Sequence, residues 1–131
     1  MPDICAAISR HYTLIMQQVN ALSLIKVQDA TSLSQAQSEV VLGGSRTGII
    51  VPGQILEAAV QVNDRRHILF LTDDVIFEES LTIARIDVKD GVKEIVRLGN
   101  EYSTGSFEGL SVTADSIKFR FIGDCAWEIK I

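Results

Sequence analysis

The chain is poor in the residues from which most active sites are built. Among 131 residues there are two cysteines, two histidines, one tryptophan and two prolines, and aromatics make up 6%. Cys5 and Cys125 stand far apart in the chain. A small secreted scaffold would carry an even set of cysteines at short spacings, so both thiols are expected free, in a reducing cytoplasm. Zinc is excluded on the same ground. His11, His67 and the two cysteines lack the C-x-x-C or H-x-x-x-H pairing that brings ligands together, and no metal or cofactor is expected.

Long apolar runs are missing too. The longest stretches, such as Ile68-Leu69-Phe70-Leu71, are far short of the roughly 20 residues of a membrane-spanning helix. The opening Met1-Pro2-Asp3-Ile4 lacks the basic segment and apolar run of a signal peptide. A basic excess is absent as well, since the net charge is −5. Acids are concentrated late, with twelve of seventeen falling between Asp73 and Glu128. A surface of that sign repels phosphates, which argues against nucleic acid and against anionic membranes.

The motifs that do occur fail on their context. Gly43-Gly44-Ser45-Arg46-Thr47-Gly48 resembles a phosphate loop only in its glycines. A P-loop needs Gly-Lys-Ser/Thr leading into a helix, whereas these glycines lead into Ile49-Ile50-Val51, so they read as a hairpin or connecting loop. Ser23-Leu24-Ile25-Lys26 has the S-x-x-K spacing of penicillin-binding enzymes without their further motifs. His67 opens an apolar strand beside Arg65 and Arg66, where a structural imidazole is the plainer assignment than a general base. Cys5 and Cys125 read as small buried hydrophobes. No catalytic residue is assigned, and the chain leans away from being an enzyme.

What is present is a patterned, aliphatic chain with 47% hydrophobic residues, slightly above an ordinary soluble domain once glycine is added. That excess leans toward a buried interface such as a homodimer. Its length suits one domain over residues 1–131. Ile4, Ile8, Ile15, Val19 and Leu22 recur at helical spacing behind a candidate N-cap at Asp3, which predicts an amphipathic helix over 3–22. Residues 29–38 are small and polar and read as an exposed connector.

From residue 39 to 131 the chemistry turns to β. From Val40 onward there are twelve Ile and ten Val against seven Leu, and β-branched side chains fit a pleated surface better than a helix. Period-two alternation marks strands at 56–62 and in a terminal hairpin over 116–131, with its turn at Gly123-Asp124. His67–Leu71 looks buried on both faces. Further strands are expected at 47–51, 80–88 and 92–98, with Lys89-Asp90-Gly91 as a turn. Trp127 falls on the inward row of the last strand and reads as core. The fold class is therefore α+β, mainly β. The N-terminal helix would pack on an antiparallel sheet, or on a small sandwich or barrel, of about seven to nine strands.

Two surface features stand out. Asp73-Asp74 and Glu78-Glu79 bracket Val75-Ile76-Phe77. Carboxylates around an apolar anchor suit a basic protein partner, and Asp73, Asp74, Phe77, Glu78 and Glu79 form the candidate partner-binding patch. Tyr102, Ser103 and Thr104 combine hydroxyls with an aromatic ring, as pocket linings do. The leading expectation is a non-enzymatic cytoplasmic protein-binding module, in concrete form an inhibitor or immunity protein against a basic partner. The alternative is a small-ligand pocket between helix and sheet, opened by Tyr102, Ser103 and Thr104.

Overall fold

The computed structural model of this chain describes residues 16–73, 80–99, 106–121 and 126–131. The described residues hold eleven strands and no helix. In chain order β1 is Gln17–Gln18, β2 Leu22–Gln28, β3 Gln37–Leu42 and β4 Ser45–Pro52. Then come β5 (Ile55–Gln61), β6 (Arg66–Thr72), β7 (Ser80–Asp87) and β8 (Gly91–Gly99). The last three are β9 (Glu108–Val112), β10 (Ser116–Arg120) and β11 (Ala126–Lys130).

They form three antiparallel sheets. One has five strands in the order β1-β5-β6-β7-β8, and two have three, β2-β3-β4 and β11-β10-β9. Side chains of a strand alternate between its faces, and β6 shows why the five-stranded sheet lies in the middle. Every residue from His67 to Thr72 is buried. Ile68 and Phe70 join Val60, Leu81, Ile117, Phe119 and Phe121 in one apolar cluster. Leu69 and Leu71, pointing the other way, join Ala59, Ala84, Ile86, Val40 and Val51 in a second. The β9–β11 sheet thus covers one face of the central sheet and the β2–β4 sheet the other. A strand buried on both faces reads as an unbroken apolar run, which is how His67–Leu71 appears in the sequence.

The first cluster is anchored by three rings. Phe70, Phe107 and Phe119 stand 4.9, 5.2 and 5.5 Å apart between centroids, tilted or edge-on, as ring quadrupoles favour. The turns follow local chemistry. Gly43 and Gly44 adopt positive φ between Leu42 and Ser45, closing a two-residue hairpin at the glycines that read as a hairpin or connecting loop. After β7, the Asp87 carboxylate accepts hydrogen bonds from the backbone N–H groups of Lys89 and Asp90 and shapes the predicted turn.

Several expectations need correction. A helix over 3–22 is not supported, and the described residues are mainly β, with no α component among them. Residues 1–15 lie outside the described part, and 16–28 are largely extended. The helix-like spacing of Val19 and Leu22 has another cause. Here the chain leaves the central sheet, with Val19 N–H donating to Ala59 O, and enters the β2–β4 sheet, so both side chains meet the second cluster. The connector ends earlier than residue 38, because Gln37 and Ser38 begin β3. Trp127 is 37% exposed, so it borders the core instead of filling it. Its indole N–H donates to Phe121 O at 3.2 Å. The terminal hairpin itself pairs as expected, Phe119 opposite Trp127 and Ile117 opposite Ile129. Its Gly123-Asp124 turn falls outside the described residues.

Candidate functional site

The residues singled out by sequence fall mostly where the structure gives no account. Asp74, Phe77, Glu78 and Glu79 lie outside the described residues, as do Tyr102, Ser103 and Thr104. Cys5, His11 and Cys125 are outside them too. Asp73 is described and half-buried. It accepts a hydrogen bond from the Gln35 side-chain amide at 2.8 Å, while its Oδ1 is buried without a partner among the described residues. His67 is buried at 3% exposure, between Gln61 on β5 and Ile86 on β7. Its Nδ1 has no hydrogen-bond partner, and loss of solvation pushes the imidazole below its ordinary value. Such a group stays neutral and is walled off from substrate. Among the described residues no three His, Cys, Asp or Glu side chains gather to hold a metal. No described helix is long and apolar enough to cross a membrane.

The described residues form several concavities; one, lined by Asn63, Asp64, Arg65, Arg66, Asp87, Asp90 and Lys93, is polar, and another is an apolar groove between two layers. Its cavity volume is about 420 Å³, inside the range of roughly 300–1,000 Å³ for small-molecule sites. The central sheet supplies the floor. Strand register orders its side chains in rows, because directly opposed residues share a face. Ile83 stands opposite Val96 and beside Phe70. One row on, Ile68, Arg85 and Glu94 follow. Arg66 lies beyond Ile68 on the same face of β6. Val62 and the end of the terminal strand, Ile129, Lys130 and Ile131, complete the lining.

The groove is therefore graded. Its Ile83–Val96 end is aliphatic, continuous with the ring cluster around Phe70, and its Arg66 end is charged. Arg85 Nε lies 3.4 Å from Glu94 Oε1, so that cation is partnered. Arg66 and Lys130 make no ion pair among the described residues. Asp87, the cross-strand neighbour of Arg66, is already engaged. Hydrogen bonds from Lys89 and Asp90 N–H, with the Arg65 guanidinium at 3.2 Å, hold its carboxyl below the usual range. The lining has no hydroxyl, thiol or imidazole among the described residues. It presents aliphatic walls, the Arg85–Glu94 ion pair and Arg66, which makes no ion pair among the described residues.

Sequence reasoning missed the groove because β8 and β11 meet it from different sheets. The residues were legible one by one as strand positions. Nothing in a linear pattern brings Val96 and Ile131 to one groove. Val92, Ile95 and Val96 are large aliphatics on both faces of one strand, yet each is about 40% exposed. No protein-family model, curated protein or solved structure matches the chain.

Proposed function

We propose that this chain is a small-ligand-binding protein, and that the groove between the central sheet and the terminal hairpin is its binding site. One observation carries the reading. A cavity of about 420 Å³ opens onto aliphatic side chains that a folded chain ordinarily covers, with Val96 and Ile131 exposed at 42% and 54%. Burying them under an apolar ligand removes that surface from water, at roughly 25 cal/mol per Å². The pocket of the sequence reading is thereby moved, from a helix–sheet junction to a junction of two sheets. The protein-binding alternative rests on the Asp73–Glu79 stretch, of which Asp73 alone is described, and that carboxylate already engages Gln35. The ligand reading takes precedence for that reason.

The test is titration with a neutral environment-sensitive dye, N-phenyl-1-naphthylamine. Saturable binding to a single site is expected. Val96→Asp, an exposed edge position that should leave the fold intact, should weaken it about ten-fold or more by placing a charge on the apolar floor. Absence of saturable binding, or equal binding by the variant, would remove the groove from consideration.

A further inference from the structure

We infer that the groove selects an uncharged amphiphile, with an aliphatic body over Ile83 and Val96 and, at Arg85 and Glu94, an end group that both donates and accepts a hydrogen bond, a hydroxyl or a carboxamide. The inference rests on the ligand-binding reading above and adds the chemical class. It follows from how evenly charge is matched along the site. On the floor, Arg85 Nε stands 3.4 Å from Glu94 Oε1. Arg66 is shared with the polar concavity next to the groove, where three cations, Arg65, Arg66 and Lys93, face three carboxylates, Asp64, Asp87 and Asp90. Arg65 lies 3.2 Å from both Asp87 and Asp90, and Lys93 lies 3.4 Å from Asp90. On the terminal strand Ile129 packs against the first cluster, and alternation turns Ile131 the same way and Lys130 the other. The site is therefore balanced, in a chain whose net charge is −5. An ion of either sign entering it gives up water without meeting an excess of the opposite charge, and burying an ion on those terms is costly. An uncharged molecule carries no such penalty.

The end group follows from what the ion pair leaves over. Arg85 reaches Glu94 through Nε, Glu94 answers with Oε1, and both side chains are about half exposed. The Nη groups of one and the second oxygen of the other remain for a ligand. A guanidinium only donates and a carboxylate only accepts. A hydroxyl or carboxamide does both, so it accepts from Arg85 while donating to Glu94. An ether oxygen serves the first partner alone. Strand register sets the pair one row from Ile83 and Val96, so the body lies on the aliphatic row with Ile129 and Ile131 as the opposite wall. The pair also holds the balance of charge. Loss of either partner leaves the other uncompensated, so each single substitution turns a neutral site into one that favours the opposite ion. Gain of binding by a new class of ligand is an effect that partial unfolding does not produce.

The experiment measures displacement of N-phenyl-1-naphthylamine from the full chain by octanol, octanamide, octyl methyl ether, octanoate and octylamine at neutral pH. Octanol or octanamide should bind about five-fold more tightly than the ether, the worth of one hydrogen bond, and about ten-fold or more tightly than either ion. The tighter of the two identifies the end group. Glu94→Gln should raise the affinity for octanoate about ten-fold, and Arg85→Gln that for octylamine by a similar factor. An exposed ion pair adds little to stability, so both variants keep the fold. An ion that outbinds octanol on the unaltered chain overturns the uncharged class, and an ether equal to octanol overturns the end group. Variants that leave the order of the five compounds unchanged overturn the role of the ion pair. Each of these results leaves the groove reading standing, as does a dye that binds and that no octyl compound displaces, which also overturns the inference. If the dye itself does not bind, both readings fail together. Sedimentation velocity showing a dimer that excludes dye and octanol alike would assign the groove to a second copy and likewise ends both.

Discussion

Gly53 approaches Leu71 so closely that a β-carbon added to it would stand 3.0 Å from Leu71 Cβ. The glycine joins β4 to β5 at φ +118°, a conformation that L side chains rarely adopt. Its N–H donates to Ala36 O at 2.8 Å and its carbonyl accepts from Ser38 Oγ at 2.7 Å, so the junction cannot readily shift away. Gly53→Ala is expected to cost about 1–3 kcal/mol from backbone strain, with the contact against the buried Leu71 adding to it. Chemical denaturation of the two chains provides the check, and an unchanged midpoint would show that the junction relaxes freely.

The ring cluster makes a second prediction. Phe70 is fully buried and touches both Phe107 and Phe119. Phe70→Ala should destabilise the fold by about 3–5 kcal/mol, the range for a large buried side chain that leaves a cavity. Phe107, which is half-buried, should cost less when truncated to Ala. Reversal of that order would mean that the β9 side of the cluster, not the central strand, carries the packing.

Much of this β framework is legible from residue types, and the reason is physical. Where one face is wet and the other dry, alternation reports the strand, as Ile117-Lys118-Phe119-Arg120 does. Where both faces are dry, an unbroken aliphatic run reports it, as on β6. The first strands break both rules. On β2 the outward Ile25 and Val27 are apolar yet 42% and 44% exposed, so its alternation is hidden, and a sheet crossing at Asn20-Ala21 mimics a helical repeat. Parity alone turns Trp127 inward, and parity does not tell how far a smaller sheet extends over a larger one. The groove was illegible for the same reason. It exists because of sheet order, and sheet order is a property of pairs distant in sequence.

His67 predicts an acid sensitivity with a definite sign. Burial lowers its folded pKa below the ordinary 6.5, while the unfolded chain titrates near that value. Below it, protons bind the unfolded state first, and linkage then reduces stability. The loss begins as pH falls through 6.5 and levels off once the folded imidazole also protonates. Above neutrality His67 makes no such contribution. His67→Leu, an apolar replacement within an apolar cluster, should flatten the fall in melting temperature between pH 7 and 5. A parallel fall in both proteins would clear His67 of the effect.

Asp87 acts in a separate and lower window. Hydrogen bonds from Lys89 N–H, Asp90 N–H and Arg65 hold its pKa below the ordinary 3.8. Its stabilisation is present above that value and is lost as pH falls through the folded pKa. Asp87→Asn keeps an acceptor for the two turn N–H groups and gives up the charge facing Arg65, whereas Asp87→Ala gives up both. The melting temperatures at neutral pH should fall in the order wild type, Asn, Ala. An Asn variant as unstable as Ala would place the whole effect in the charge.

Removal of residues 126–131 separates groove from fold. On parity alone Trp127 would fill the core, and the truncated chain would not fold. The observed burial argues otherwise. Ala126, Trp127, Glu128 and Lys130 are exposed and Ile129 is half-buried, while the second cluster draws none of its residues from the β9–β11 sheet. The shortened chain is expected to melt cooperatively at a reduced temperature, with amides of Leu69, Leu71 and Ala84 still protected from hydrogen exchange. Those of Lys118 and Phe119, left on a new sheet edge, should exchange faster. Binding of the neutral dye should vanish, because Ile129 and Ile131 form one wall of the site. A truncated chain without a cooperative transition would show that the terminal strand supports the whole sheet stack and not merely its groove.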